Sequence, residues 1–221
     1  MRKKYIYTVF LFTLFFCKKE EPKEKKNINS QAFFSKIADI SKFEKSERTK
    51  LNDSTYRIKG DVGPLHVTGY LTQNNEKIDW WKIVDSNSDK ELMIIEYRLV
   101  DNKEFANQYK IFNNSELDIY KSKYYALTPK KSNVFYSFYV PKNKDIIKTK
   151  GKFLYSVYDT KKNEEIGSSE CECINSDNQF RCTFSIPNKN NIVISGVFFE
   201  LSQTKDGKMG GSEIYVRDTL K

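Results

Sequence analysis

Histidine occurs once in the 221 residues, cysteine four times, proline five times and glycine nine times. Each scarcity removes a class of chemistry. A single imidazole, His66, cannot share a metal ion with a second one, and no Ser, Cys or carboxylate motif around it suggests a triad, so a structural role is expected. Glycine this sparse leaves no phosphate-cradling loop behind a strand; Gly207, Gly210 and Gly211 precede a strand and read as a turn. Hydrophobic residues make up 38% and charged residues 30%, against typical values of about 45–50% and 25%. That balance leaves no room for a multi-span membrane protein. No complete catalytic motif is present, so neither a catalytic residue nor a cofactor is expected.

The formal net charge is +9. Arg2, Lys3 and Lys4 with the Lys/Glu run at 18–26 carry five of those charges, leaving four spread over the rest of the chain. So thin an excess is a solvated surface, and no nucleic-acid partner is expected.

The first thirty residues read as an address. Three basic residues are followed by an uncharged Phe/Leu-rich run at 5–16 and then Cys17, which is the anatomy of an export signal. Twelve helical residues reach about 18 Å, short of the roughly 30 Å hydrocarbon core, so a transmembrane anchor is disfavoured. The stretch LFFCKKEE at 14–21 resembles a bacterial lipoprotein signal. The resemblance implies cleavage before Cys17, lipidation of its thiol with palmitate-type chains, and attachment to the membrane. It departs from the family at Phe16, where Gly, Ala or Ser is usual. The Lys-Lys-Glu-Glu after the cysteine also resembles the charged export signals on surface lipoproteins of the Bacteroidetes, which implies the outer membrane, on its surface or periplasmic face. The expected division is a signal peptide at 1–16, a disordered tether at 17–30, and a folded body at 31–128 and 129–221.

Within the body, Phe33, Ile37 and Ile40 with Ser30 as N-cap predict a short amphipathic helix over 30–43. After it the period becomes two. Met93, Ile95, Tyr97 and Leu99 share one face of a strand, and Val193, Val197, Phe199 and Leu201 share another. Runs of this kind separated by polar turn clusters, with aromatics at 14%, predict an all-β, mainly antiparallel protein: stacked hairpins followed by a β-sandwich-like region.

Residues 69–96 align without a gap on 97–124. Leu71, Asn74, Glu76, Lys82 and Ile83 are identical to Leu99, Asn102, Glu104, Lys110 and Ile111, and Trp81 aligns with Tyr109. Each unit is expected to be a hairpin that buries its apolar face against a neighbour. This segment resembles the MORN-repeat variant of bacterial envelope lipoproteins and antitoxin-like proteins, although Asn87-Ser88 and Asn114-Ser115 stand where that family has a turn glycine.

For Cys171, Cys173 and Cys182, a hairpin turning about Ser176-Asp177 sets Cys171 opposite Cys182 and puts all three thiols on one apolar face. Export favours a Cys171–Cys182 disulfide. A register shifted by two would give Cys173–Cys182 instead, and three buried free thiols or a zinc site remain open.

Asp85, Asn87, Asp89, Glu91 and Glu96 fall at positions 1, 3, 5, 7 and 12 of a calcium loop, but Lys90 stands where the loop needs Gly and both flanks read as strands. A polar hairpin turn is the plainer expectation. Trp80 and Trp81 are adjacent, so one faces in and one out; the outward ring, with Tyr124 and Tyr125, is a candidate aromatic platform for a glycan or protein partner. These features point to a non-enzymatic envelope lipoprotein that binds a partner. The alternative is an envelope hydrolase or glycan-active enzyme using paired carboxylates and that platform.

Overall fold

The computed structural model describes residues 36–130, 132–186 and 191–220, and they form an all-antiparallel β protein of two seven-stranded sheets. The signal, the tether and Cys17 lie outside the described residues. In the first sheet the strands lie side by side in chain order: β1 Ser46–Lys50, β2 Thr55–Val62, β3 Leu65–Thr72, β4 Lys77–Asp85, β5 Glu91–Val100, β6 Lys103–Asn113 and β7 Glu116–Leu117. Short polar turns make this meander possible. Asp101 and Asn102 both have positive φ, 49° and 58°, the two-residue turn geometry whose twist matches the flanking strands.

The internal repeat maps onto two successive hairpins, β3–β4 and β5–β6. Trp81 and Tyr109 are both buried, as are Ile83 and Ile111, whereas Leu71 is buried and its counterpart Leu99 is exposed. A bulge between Glu96 and Tyr97 shifts the β5–β6 register just before Leu99. The inserted residue is Asn107 on β6, so β5 keeps its alternation, and Leu99 is exposed at the strand end beside the Asp101-Asn102 turn.

One face of this sheet is apolar and centres on Trp81. Its ring lies over Gly69, where any Cβ would collide with the indole, and the β3–β4 ladder shifts register at that residue. The indole N–H donates to the carbonyls of Tyr70 and Ile78, both at 3.2 Å. Ile37, Ala38, Ile40 and Phe43 pack over the same face. The helix expected over 30–43 is not confirmed. Residues 30–35, including Phe33, lie outside the described residues, and residues 36–43 carry only two helical positions, 36 and 37, before a 3-10 turn at Ile40–Lys42. Asp39 caps that turn by accepting from the Ser41 N–H at 3.1 Å, a local bond that competes with helical pairing.

The second sheet has the order β14-β13-β10-β11-β12-β9-β8. Its strands are β8 Tyr124–Lys130, β9 Asn133–Tyr139, β10 Ile146–Asp159, β11 Glu164–Ser176, β12 Gln179–Ser185, β13 Ile192–Thr204 and β14 Met209–Leu220. The chain thus changes sheets between β7 and β8. Pro129 sits in the edge strand β8, where a missing N–H is tolerated.

This sheet curls until strands far apart in its order meet. Phe138 on β9 stacks on Phe198 on β13 with ring centroids 4.3 Å apart, and the Tyr136 hydroxyl donates to Asp218 on β14 at 2.9 Å. Tyr136, Phe138, Phe153, Phe180 and Phe198 fill the concave side, so it is a packed half-barrel. On β13 the core residues are Ile192, Ile194 and Phe198, and the alternate set ending in Phe199 and Leu201 faces outward.

The disulfide links Cys173 to Cys182, with Cα atoms 4.7 Å apart, and Cys171 is free; this corrects the Cys171–Cys182 pairing. Ile174 pairs with Arg181 and Ser176 with Gln179, so the turn falls at Asp177-Asn178. Asn178 fixes it there: its amide donates to the Ile119 carbonyl at 2.6 Å, and its own carbonyl accepts from the Val140 N–H at 3.1 Å. Moving a turn by one residue slides the register by two and preserves the faces. All three cysteines accordingly stay on the core side.

The two tryptophans should separate cleanly in stability. Trp81→Ala is expected to cost about 3–5 kcal/mol through the cavity it leaves, whereas Trp80→Ala, 40% exposed, should stay within about 1 kcal/mol. Urea unfolding midpoints of the two variants measure the difference, and equal losses would contradict the placement of Trp81.

Candidate functional site

The two sheets join at β6. One edge of this strand pairs with β5, and near Tyr109 its other edge meets the segment entering β8. The Tyr109 N–H donates to the Lys123 carbonyl at 2.6 Å and the Lys123 N–H returns to Tyr109 at 2.9 Å. Two residues earlier, Asn107 reaches β14 with its side chain. Its Oδ1 accepts from the Tyr215 N–H at 2.7 Å and its Nδ2 donates to the Tyr215 carbonyl at 2.8 Å. A side-chain amide thus replaces a strand partner at the open edge of the half-barrel.

Behind that contact lies a buried polar network. Glu96 Oε2 accepts from Asn107 Nδ2 and Gln108 Nε2, each at 2.7 Å. Its Oε1 accepts from Arg98 Nε and Nη2, each at 2.8 Å. Gln108 Oε1 accepts from the Tyr125 N–H at 2.9 Å. Asp218 closes the network, accepting from the hydroxyls of Tyr125 and Tyr136 at 3.2 and 2.9 Å. Burial raises the Asp218 carboxyl above the ordinary range, and the two hydroxyls oppose that shift. Burial likewise raises the Tyr136 phenol.

Beside the network the gap between β6 and β14 opens into a cavity of about 820 Å³. Phe105, Ala106 and Tyr109 form one wall, and Phe199, Glu200, Leu201 and residues 209–213 form the other. Lys123 lies at its base, nine-tenths buried. Its Nζ donates to the Ala106 carbonyl at 3.0 Å and the Glu213 carbonyl at 3.3 Å and lies over the rings of Phe105 and Tyr109. No carboxylate forms an ion pair with it among the described residues. Burial lowers its pKa to about 8, against the nearby charge of Glu213.

A second cavity of about 460 Å³ opens at one end of the half-barrel, lined in part by Thr149, Asp177, Phe180 and Glu200. Glu200 is buried and accepts from Thr149 Oγ1 at 3.0 Å. Burial raises its carboxyl, and the bonds from Thr149 and Ser212 oppose that. Asp177 pairs with Lys142 at 2.7 Å, whose Nζ lies 5.4 Å over the exposed Tyr120 ring.

The expected sites assemble only in part. Trp80 is exposed and Trp81 fully buried. Trp80 and Tyr124 come together around Lys110, whose Nζ is 5.9 and 5.3 Å from the two rings. Tyr124 is itself buried and stacks on Tyr139 at 4.5 Å, while Tyr125 turns to Asp218. Trp80, the outward ring, therefore does not form one platform with Tyr124 and Tyr125. The five calcium-loop positions do not converge either. Asp85 accepts from the backbone of Asn87 and Ser88, Glu91 pairs with Lys82 at 2.7 Å, and Glu96 lies in the β6 network. Among the described residues no group of three His, Cys, Asp or Glu side chains is placed to hold a metal ion. The calcium reading fails because these carboxylates already serve the turn's own backbone and neighbouring side chains. His66 is exposed and pairs with Asp61.

Lys123, Glu200, Asp218, Asn107 and Gln108 were not singled out by sequence reasoning, and Glu96 was read as a calcium-loop position rather than as the centre of this network. The one local signal is Asn107-Gln108, two amides in mid-strand where the alternation calls for packing. No protein-family model matches this chain, and no curated protein matches it.

A depressed lysine pKa fixes the sign of a pH effect. Lys123 titrates near 8 when folded and near about 10.4 when unfolded. Between those values the unfolded chain binds more protons, so stability from this residue rises with pH. Buried tyrosines such as Tyr109 are raised when folded and oppose it only above about pH 10. Relative to Lys123→Met, the wild-type urea midpoint should therefore improve from pH 7.5 to 9.5; a difference that is flat or falling with pH contradicts a buried charged lysine.

Proposed function

We propose that this chain is an exported, lipid-anchored envelope protein, non-enzymatic, that binds a partner through the slot between β6 and β14. The basic start, the apolar run at 5–16 and Cys17 support the anchor, because two or three acyl chains hold a polar body at a membrane where one chain holds only marginally. The observation that carries the binding reading is Lys123: a buried cation at the base of a large cavity, with no carboxylate paired to it among the described residues. Buried charges normally come with a partner. The two equivalent hairpins β3–β4 and β5–β6 support a MORN-like reading of the first sheet.

Two measurements check this. In a bacterial host, labelled palmitate should enter the wild-type chain and be absent from Cys17→Ser; label in both, or in neither, removes the anchor. A photo-crosslinking residue at Met209 should give a discrete adduct on intact cells, and the same residue at Trp80 should give none. Without an adduct at Met209 the slot is not the binding site.

A specific observation favours a second reading, an envelope hydrolase or glycan-active enzyme. The half-barrel cavity brings together Glu200, whose carboxyl is raised by burial, and Asp177, which is paired with Lys142. Two carboxyl groups lining one cavity, one of them raised by burial, are the kind of pair that glycoside cleavage uses. In this reading the wild type releases reducing ends from purified cell-wall glycan, and Glu200→Gln and Asp177→Asn each lower the rate at least about 100-fold. A wild type without release excludes it.

A further inference from the structure

The slot has three properties that together select an occupant. The first is a free strand edge. β14 lies at the border of its sheet, with β13 on one side. Tyr215 turns both its N–H and its C=O away from β13, towards Asn107. Backbone groups on one edge repeat every second residue, so Glu213 and Gly211 also present theirs to the slot. Lys123 takes the Glu213 carbonyl. The Glu213 N–H and both Gly211 groups have no strand beside them among the described residues.

The second property is charge. An ammonium group carries three N–H donors, and two of those on Lys123 go to the carbonyls of Ala106 and Glu213. The third has no acceptor among the described residues. Of the two carboxylates that line the slot, Glu213 accepts from the Tyr215 hydroxyl at 3.3 Å and Glu200 from Thr149 Oγ1 at 3.0 Å. The third property is exposed apolar surface at the open side, where Leu201 is 61% and Met209 66% exposed. Large apolar side chains left out on both strands of one wall suit the side chains of an added strand.

We infer that the slot takes an extended acidic peptide as an added strand on the free edge of β14, with a carboxylate seated on Lys123. This rests on the binding reading above and gives it a partner class. Backbone pairing at Gly211 and Glu213 supplies affinity whatever the sequence, and the carboxylate on Lys123 with apolar neighbours against Leu201 and Met209 supplies the selection. Lys123 is held by two carbonyls and two rings before any ligand arrives, so little ordering is left for binding to impose.

The test uses the full chain in detergent and a fluorescein-labelled, amidated peptide Thr-Val-Glu-Val-Thr, read by fluorescence anisotropy. Its Glu→Gln analogue should bind at least tenfold more weakly. Lys123→Met should remove that difference. Because Lys123 is buried and its loss disturbs the fold, Leu201→Glu and Met209→Glu serve as independent variants at exposed positions. Each should weaken binding at least tenfold while leaving the urea midpoint unchanged. Equal binding of the Glu and Gln peptides, or wild-type binding by the two glutamate variants, overturns the inference. An adduct at Met209 on cells without any preference for the acidic peptide would leave the slot as a binding site and overturn only the acidic strand. No peptide binding and no adduct would overturn both.

Discussion

Strand β6 has to serve two sheets at once. A curled antiparallel sheet that does not close leaves two edges of unpaired backbone, and such edges are costly when buried and hazardous when free. Here the edges belong to β8 and β14, and β6 sits between them. It meets the β8 side with its own backbone at Tyr109 and the β14 side with the amide of Asn107. That pairing joins an apolar meander and an aromatic half-barrel, whose cores are otherwise separate clusters, into one body.

The join brings charge into the interior. Glu96, Lys123 and Asp218 are drawn into the protein around it, and each is compensated in its own way. Glu96 accepts four hydrogen bonds from Arg98, Asn107 and Gln108. Asp218 has two tyrosine hydroxyls. Lys123 has neutral carbonyls and ring faces, which hold an ammonium group less well than a carboxylate does. The difference matters functionally. A saturated network such as that of Glu96 rigidifies the join, whereas an incompletely satisfied cation facing a cavity retains capacity for a ligand.

The fold class was legible because alternation of apolar and polar residues survives in most strands. Trp81, Ile83, Met93 and Ile95 lie on the apolar face that the alternation assigns them, and the polar turn clusters fall between strands. Legibility ended where the ladder became irregular. Asn107 is the inserted residue of a bulge that alternation does not foresee, and the disulfide pairing slid by two residues because Asn178 is tied to Ile119 and Val140, partners distant in sequence. The aromatics proposed as a platform separated for a related reason: Tyr125 is drawn to Asp218 on a strand more than ninety residues away.

By itself, then, the sequence determined the antiparallel class, the hairpin meander and the shared face of the three cysteines. These depend on neighbours in sequence, on a period of two and on turn residues that tolerate positive φ. Only the tertiary structure decided that the second sheet curls, that β6 bridges its edges, that Lys123 and Glu200 become buried and that Asp218 becomes half-buried. Burial depends on which strands meet across the fold, and a local pattern carries no record of a lysine's distance from water or of the carbonyls that will face it.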